Sequence, residues 1–350
     1  MTTNRKLPFS SDYQEGCHPK ILERLMETND LANVGYGQDA FCESAREKIR
    51  AACNCPGAAV YFLVGGTQTN ATVLGALLQS YQGVLAAATG HIAVHEAGAI
   101  ELGGHKVIEL DPGSDEMTGK ITAAQVREYM DLFTRDETKD HRVEPAAVYL
   151  SQPTECGTMY SAAELLAFRD VCDEYGLFLY VDGARLAYAL AVPDNDMSLA
   201  DLASLCDAFY IGGTKCGALF GEAVVFPDPE LLPRFFTICK QQGAVLAKGW
   251  LLGIQFDVLF TDDLYLSIGK YAIQAAAAIK NALKEKCVPM TFDSPTNQIL
   301  FVADKGLTKR LGEKVDYGFM EPLDDTHDLL RLCTSWATRQ EDVTTLLSIL

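Results

Sequence analysis

Tyr180-Val181-Asp182-Gly183-Ala184-Arg185, followed later by Tyr210-Ile211-Gly212-Gly213-Thr214-Lys215, decides the reading of this chain. Each stretch is an apolar run that reaches a charged residue beside glycine. That is how a buried parallel strand delivers a functional side chain to the carboxyl edge of a sheet, where open α/β folds place their ligands. Lys215 has small neighbours (Gly212, Gly213, Thr214, Gly217, Ala218) that leave room for a bulky ring. A lysine there can form an imine with pyridoxal phosphate, and Asp182 can keep the pyridine nitrogen protonated so that the ring accepts a carbanion's electrons. Taken singly, the lysine reads as a surface residue and the aspartate as a helix cap or metal ligand. The pair is what points to the cofactor.

Outward from this pair, short apolar runs alternate with helical patterns. Residues 58–64, 83–87, 106–110, 146–150, 177–181, 208–211 and 221–226 read as strands, and 67–80 and 161–175 as helices. The second of these helices opens on the capping box Ser161-x-x-Glu164. Such alternation predicts an α/β fold with a mainly parallel central sheet and helices on both faces. Residues 131–144, charged and aperiodic, read as a surface loop. After Gly249 the character changes: a long helix over 265–285, strands over 298–303 and 330–334 and a last helix from about 340 predict a smaller α+β unit. The expected division is an N-terminal segment (1–30), a large cofactor-binding domain (31–250) and a small C-terminal domain (251–350).

Composition narrows the classes. With 350 residues, 48% of them hydrophobic, the chain can bury a sizeable core. A formal charge of −18 excludes a phosphate-neutralising surface, hence a nucleic-acid partner, and means that any anion site must be built locally. No apolar run approaches the ~20 residues a bilayer crossing needs. The start, Met1-Thr2-Thr3-Asn4-Arg5-Lys6, leads into no signal-like segment, and eleven cysteines without zinc-ligand spacing read as reduced thiols of a cytoplasmic protein with no metal site.

Other residues carry plausible chemistry. Gly65-Gly66-Thr67-Gln68-Thr69-Asn70 follows a strand and opens a helix, so its amides and hydroxyls can cup a phosphate; it lacks the glycine and lysine spacing of dinucleotide and nucleotide loops. Arg185 can fork onto a substrate carboxylate or a cofactor oxygen, or else form a salt bridge. His91 and His95, four apart, can stack on a cofactor or move a proton; their order with Glu96 is not that of a zinc helix.

These motifs, in this order over nearly the whole chain, resemble the low-specificity L-threonine aldolases, a family that includes the β-eliminating lyases and has the type I fold of pyridoxal-phosphate enzymes. Ser11-Asp12 with Gly16 and His18-Pro19, Gly35-Tyr36-Gly37-Gln38-Asp39, the loop at Gly65, Gly90-His91 with Glu96, Asp182-Gly183-Ala184-Arg185, Thr214-Lys215 and Arg331-Leu332 carry the resemblance. It implies retro-aldol cleavage of L-threonine-type β-hydroxy-α-amino acids to glycine and an aldehyde. Lys215 would be the Schiff-base lysine, Gly65, Gly66, Thr67 and Gln68 the phosphate loop, and His91 the stacking ring. His91 and His95 both stand as general-base candidates. Ser11, Tyr36, Arg185 and Arg331 would meet the substrate. Gln152, Thr214 and Lys248 are expected at the cofactor. Three segments depart from the family pattern: Thr214-Lys215-Cys216-Gly217-Ala218, Ala247-Lys248, and Ser151-Gln152-Pro153-Thr154. The resemblance further implies a homodimer or homotetramer with shared sites, Tyr36 and Lys248 reaching across. β-Elimination to pyruvate and ammonia, aminotransfer and non-catalytic cofactor binding are the rival readings.

Overall fold

A computed structural model describes residues 5–113 and 118–350. Its strands are β1 (Leu7–Pro8), β2 (Ala59–Leu63), β3 (Gln82–Ala87), β4 (Lys106–Leu110), β5 (Glu144–Ser151), β6 (Phe178–Asp182), β7 (Ala208–Gly212), β8 (Glu222–Phe226), β9 (Gln298–Asp304), β10 (Val315–Asp316), β11 (Gly318–Pro322) and β12 (His327–Cys333). The main sheet has seven strands in the order β2-β8-β7-β6-β5-β3-β4, and β8 alone runs against its neighbours.

The central strands are apolar throughout because both their faces are covered. Val148, Leu150, Leu179, Val181, Phe209, Ile211 and Val225 pack into one cluster. The alternate residues Ala147, Tyr149, Tyr180, Ala208, Tyr210 and Val224 pack into the opposite one. Asp182 is two residues beyond Tyr180, so the two-residue period of a strand sends its side chain to the second face. The register sets Tyr149 beside Tyr180 and Ser151 beside Asp182. At the edge the chain segments touch so closely that only glycine fits: a Cβ on Gly183 would lie 2.1 Å from the Tyr210 carbonyl oxygen, and one on Gly212 2.3 Å from that of Ala184.

The helix at Ala162–Tyr175 starts where the capping box puts it, with Ser161 and Glu164 bonding each other's main-chain amides. The loop expected over 131–144 is in part helix: Ala123–Arg135 runs through Asp131, a short 3₁₀ turn spans Lys139–His141 and β5 begins at Glu144, with turns and irregular chain between them. Val126, Met130 and Phe133 are buried at helical spacing in that segment, and Thr122 with Gln125 caps it, so three apolar contacts outweigh the surrounding charge.

A second, three-stranded antiparallel sheet has the order β11-β12-β9. Its core joins Leu330, Leu332, Ile299 and Phe301 to Ala276, Ile279, Leu346 and also Phe9. Phe9 is stitched in by main-chain bonds to Asp316 and Cys333. The long helix Leu264–Glu285 links the two bodies, contributing Leu264, Ile268 and Ala272 to the large core and Ala275 onward to the small one. No helix among the described residues is long and apolar enough to cross a membrane, and the eleven cysteines are all free thiols.

Candidate active site

Asp182 is buried at the end of β6. An isolated carboxylate there would cost several kcal/mol or take up a proton, and it has four donors around it instead. Its Oδ2 accepts the Tyr149 hydroxyl at 2.6 Å and the Asn70 amide at 3.0 Å, and its Oδ1 accepts the Ala184 N–H at 3.0 Å. Burial pushes its carboxyl up, but Tyr149, Tyr210, Asn70 and the nearby His91 outweigh that and hold it below the usual range. Asp182 is therefore an anion at neutral pH. Tyr180 completes the set by donating to Asn70 Oδ1 at 2.8 Å. The three tyrosines are on one face of adjacent strands because buried phenols need polar partners, and Asp182 with Asn70 supplies them.

Lys215 follows β7 in the turn toward β8 and is partly buried. Burial and the Arg185 charge lower its ammonium's hold on a proton, while Asp12, Asp182 and Glu222 pull the other way. Those causes gather Asp182, Arg185 and Asp12 around the lysine. Thr214 beside it gives its hydroxyl to Glu222 Oε1 at 2.7 Å.

The helix Gly66–Leu77 begins after Gly65 with no side chain capping it, so its first amides are open to a ligand. A Cβ on Gly65 would meet nothing within 4 Å. Thr67 is exposed, and Gln68 folds back, its Oε1 accepting the Val64 N–H at 3.3 Å.

His91 Nδ1 sits 2.7 Å from Oε1 of the buried Glu96, which also accepts from Asn70 at 2.7 Å, so Asn70 bridges the histidine to Asp182. The His95 ring is 5.6 Å from that of His91. Burial, then the charges of His91, Arg331, Lys215 and Arg185, hold His95 below the usual imidazole range. It is a neutral base amid cations.

The two arginines differ. Arg185 is bidentate on the buried Asp12 at 2.7 and 3.0 Å, and Asn297 donates to the same carboxylate at 2.8 Å. Arg331, on β12, has among the described residues only two long hydrogen bonds, to Gln298 Oε1 and the Ser10 carbonyl, both 3.3 Å. Its Nε is buried without a hydrogen-bond partner among the described residues. Ser11, expected at the substrate, accepts the Tyr13 N–H at 3.3 Å.

Gln152 is spent on the main chain, since both ends of its amide pair with Tyr160 at 2.9 Å. The segment presents Glu155 instead, whose Oε1 accepts the Ser151 hydroxyl at 2.6 Å and the His91 N–H at 3.0 Å. Tyr36 and Lys248 are exposed, and Tyr36 N–H bonds the Ala247 carbonyl at 3.3 Å. Among the described residues no hydrogen bond or ion pair joins either to Lys215, Asp182 or Arg331. Tyr36, with Arg46, Phe62, Phe236 and Leu252, lines a cleft of about 410 Å³; Lys248 does not line it, although its neighbour Gly249 does.

Sequence reasoning named Asp12 and Asn70 only within motifs, not as partners of Arg185 and Asp182, and passed over Tyr149, Glu155 and Glu222 altogether. Glu222 did leave a signal, a lone acid at the head of an apolar strand. No group of three or more metal-ligating side chains occurs among the described residues.

A low-specificity L-threonine aldolase of Pseudomonas aeruginosa is 31% identical over 278 residues, 78% of this chain and 77% of that one. A solved threonine aldolase from Leishmania major is 40% identical, covers 98% of both chains and superposes with a TM-score of 0.94. An aspartate aminotransferase of Thermus thermophilus, 14% identical, matches 98% of this chain and 90% of its own with a TM-score of 0.72, a likeness of fold alone. The model of the β-eliminating lyase family matches residues 9–298, a span that takes in Asp182, Lys215 and the Gly65 helix start, and the chain belongs to that family.

Proposed function

We propose that the protein cleaves L-threonine and related β-hydroxy-α-amino acids to glycine and an aldehyde, using pyridoxal phosphate held on Lys215. The residues present fit that group: an ionised carboxylate at one strand end, a lysine past the next and an uncapped helix start. Bound, it supplies an electron sink for the carbanion left when the Cα–Cβ bond breaks.

The chain's own groups do the rest. Lys215 would hold the cofactor through its side-chain amine. Gly65, Gly66, Thr67 and Gln68 receive the phosphate on main-chain amides. Asp182, kept ionised by Tyr149 and Asn70, holds a proton on the ring nitrogen. His91, anchored by Glu96, would offer its imidazole to the cofactor ring. Arg331 takes the substrate carboxylate, because its guanidinium is the one left short of partners; Arg185, fixed by Asp12, lends its charge nearby. His95 accepts the β-hydroxyl proton on a ring nitrogen, since it is neutral while cations surround it.

The single observation carrying this reading is the donor set on buried Asp182. Substituting Lys215→Ala is expected to abolish the absorbance band near the visible edge; a band that persists overturns the assignment of the lysine. The family's own description supports a second reading, β-elimination to pyruvate and ammonia at the same residues. A homo-oligomer with Tyr36 and Lys248 reaching the partner's site is supported by the exposure of both and by the place of Tyr36 on the 410 Å³ cleft. Full activity in a verified monomer would contradict it. The eleven free thiols support a reducing compartment, the cytoplasm.

A further inference from the structure

β8 opens on Glu222, set opposite Gly212 of β7 and followed by the buried apolar run to Phe226. Nothing in the reaction described above calls for a carboxyl there, and burying one is costly unless donors meet it. Here they do. Glu222 Oε2 accepts the Gly213 N–H at 3.0 Å, and Oε1 accepts the Thr214 hydroxyl at 2.7 Å. Thr214 Oγ1 in turn accepts the Gly221 N–H at 3.0 Å. The two residues leading into Lys215 therefore hang from one carboxylate, while Tyr188 fixes the Lys215 carbonyl.

A capped turn would explain those bonds alone, but the charges go further. Burial raises the Glu222 carboxyl to about 7, against the pull of Thr214, Gly213 and Lys215 and with a push from Asp182. The Lys215 amine in turn feels the Glu222 charge. The other titratable groups facing Glu222 are the phenols of Tyr180, Tyr210 and Tyr265 and the Cys216 thiol, which burial keeps neutral. Lys215 and Asp182 are left as its charged neighbours. Proton counting adds a consequence. Gly213 N–H cannot accept, so a proton on Glu222 must point at Thr214 Oγ1 and turn the threonine's own hydrogen away, beside the lysine.

We propose that Glu222 is a positioning residue for Lys215: its carboxylate fixes the Gly213-Thr214 turn that presents the lysine and supplies the counter-charge against which the freed lysine keeps its proton. The inference rests on Lys215 being the lysine that holds the cofactor.

The test uses cofactor-free protein, reductively methylated with formaldehyde and cyanoborohydride from pH 6 to 10, with labelling of the Lys215 peptide read by mass spectrometry. Glu222→Gln removes the charge while keeping the shape, and the labelling midpoint is expected to fall by about one pH unit or more. Glu222→Asp, which keeps the charge, should restore most of the difference. A midpoint unmoved in Glu222→Gln, with only the melting temperature lowered, overturns the proposal and leaves a structural cap. If the Gln variant does not fold, Lys215→Met gives the reciprocal reading. The Glu222 carboxyl, followed by carbon NMR, should then titrate at higher pH than in wild type; an identical titration overturns the proposal. Borohydride reduction of the holoprotein separately shows whether the cofactor attaches at Lys215, so failure of that assignment is told apart from failure of the Glu222 pair.

Discussion

Arg185 and Arg331 carry the same side chain toward the same site, and the fold treats them in opposite ways. Arg185 is closed off by Asp12 and Asn297 in a buried bidentate pair. Arg331 keeps two 3.3 Å contacts and a buried Nε with no partner among the described residues. A guanidinium with matched acceptors is part of the framework. One left short of acceptors stores the desolvation cost of its free donors, which an incoming carboxylate relieves. The proposed function uses this difference, giving the first arginine a structural part and the second the substrate carboxylate, and it can be broken experimentally.

The largest effect is expected from Asp12→Ala. It strands a buried cation, so stability should fall by about 3–5 kcal/mol, read by denaturant unfolding. A loss confined to activity would dissolve the contrast. Next is Arg331→Leu, expected to lower kcat/KM by about 100-fold, mostly through KM, with stability changed by less than about 1 kcal/mol. An equal loss with the corresponding change at Arg185 and none here would reverse the two roles. The acid limb of stability sharpens the comparison. Burial raises the Asp12 carboxyl, but Arg185, Lys215 and Asn297 together hold it below its ordinary 3.8. A depressed carboxyl stabilises above its unfolded value and loses that contribution as pH falls through the folded one. Asp12→Asn should therefore flatten the fall in stability below about pH 4, and an unchanged acid limb would show that the pair contributes nothing. The smallest effect is at Gln298→Ala, which removes a long contact to Arg331; KM should rise by about threefold to fivefold.

Much of this was legible in the sequence, and for identifiable reasons. The interiors of strands β5 to β8 are apolar because both faces are buried, so periodicity and punctuation by Gly183 and Gly212 located them within a residue or two. Asp182 and Lys215 stood out because charges at the end of such runs are expensive without a role. The helix end at 131–135 did not, since only one of the helix's three buried residues, Phe133, lies in it. Nor did the partners. That Asp12 meets Arg185, or that Tyr149 donates to Asp182, depends on strand order and register, which link residues 173 and 33 positions apart. Gln152 shows the reverse: its position in the motif was readable, but its pairing with the Tyr160 main chain was not.

The central claim, aldol cleavage at the Lys215 and Asp182 pair, is tested most directly by incubating holoprotein with L-threonine and L-allo-threonine and measuring glycine, acetaldehyde and pyruvate together. Equal amounts of glycine and acetaldehyde, with no pyruvate, are the expected result. Pyruvate and ammonia in place of glycine would contradict it.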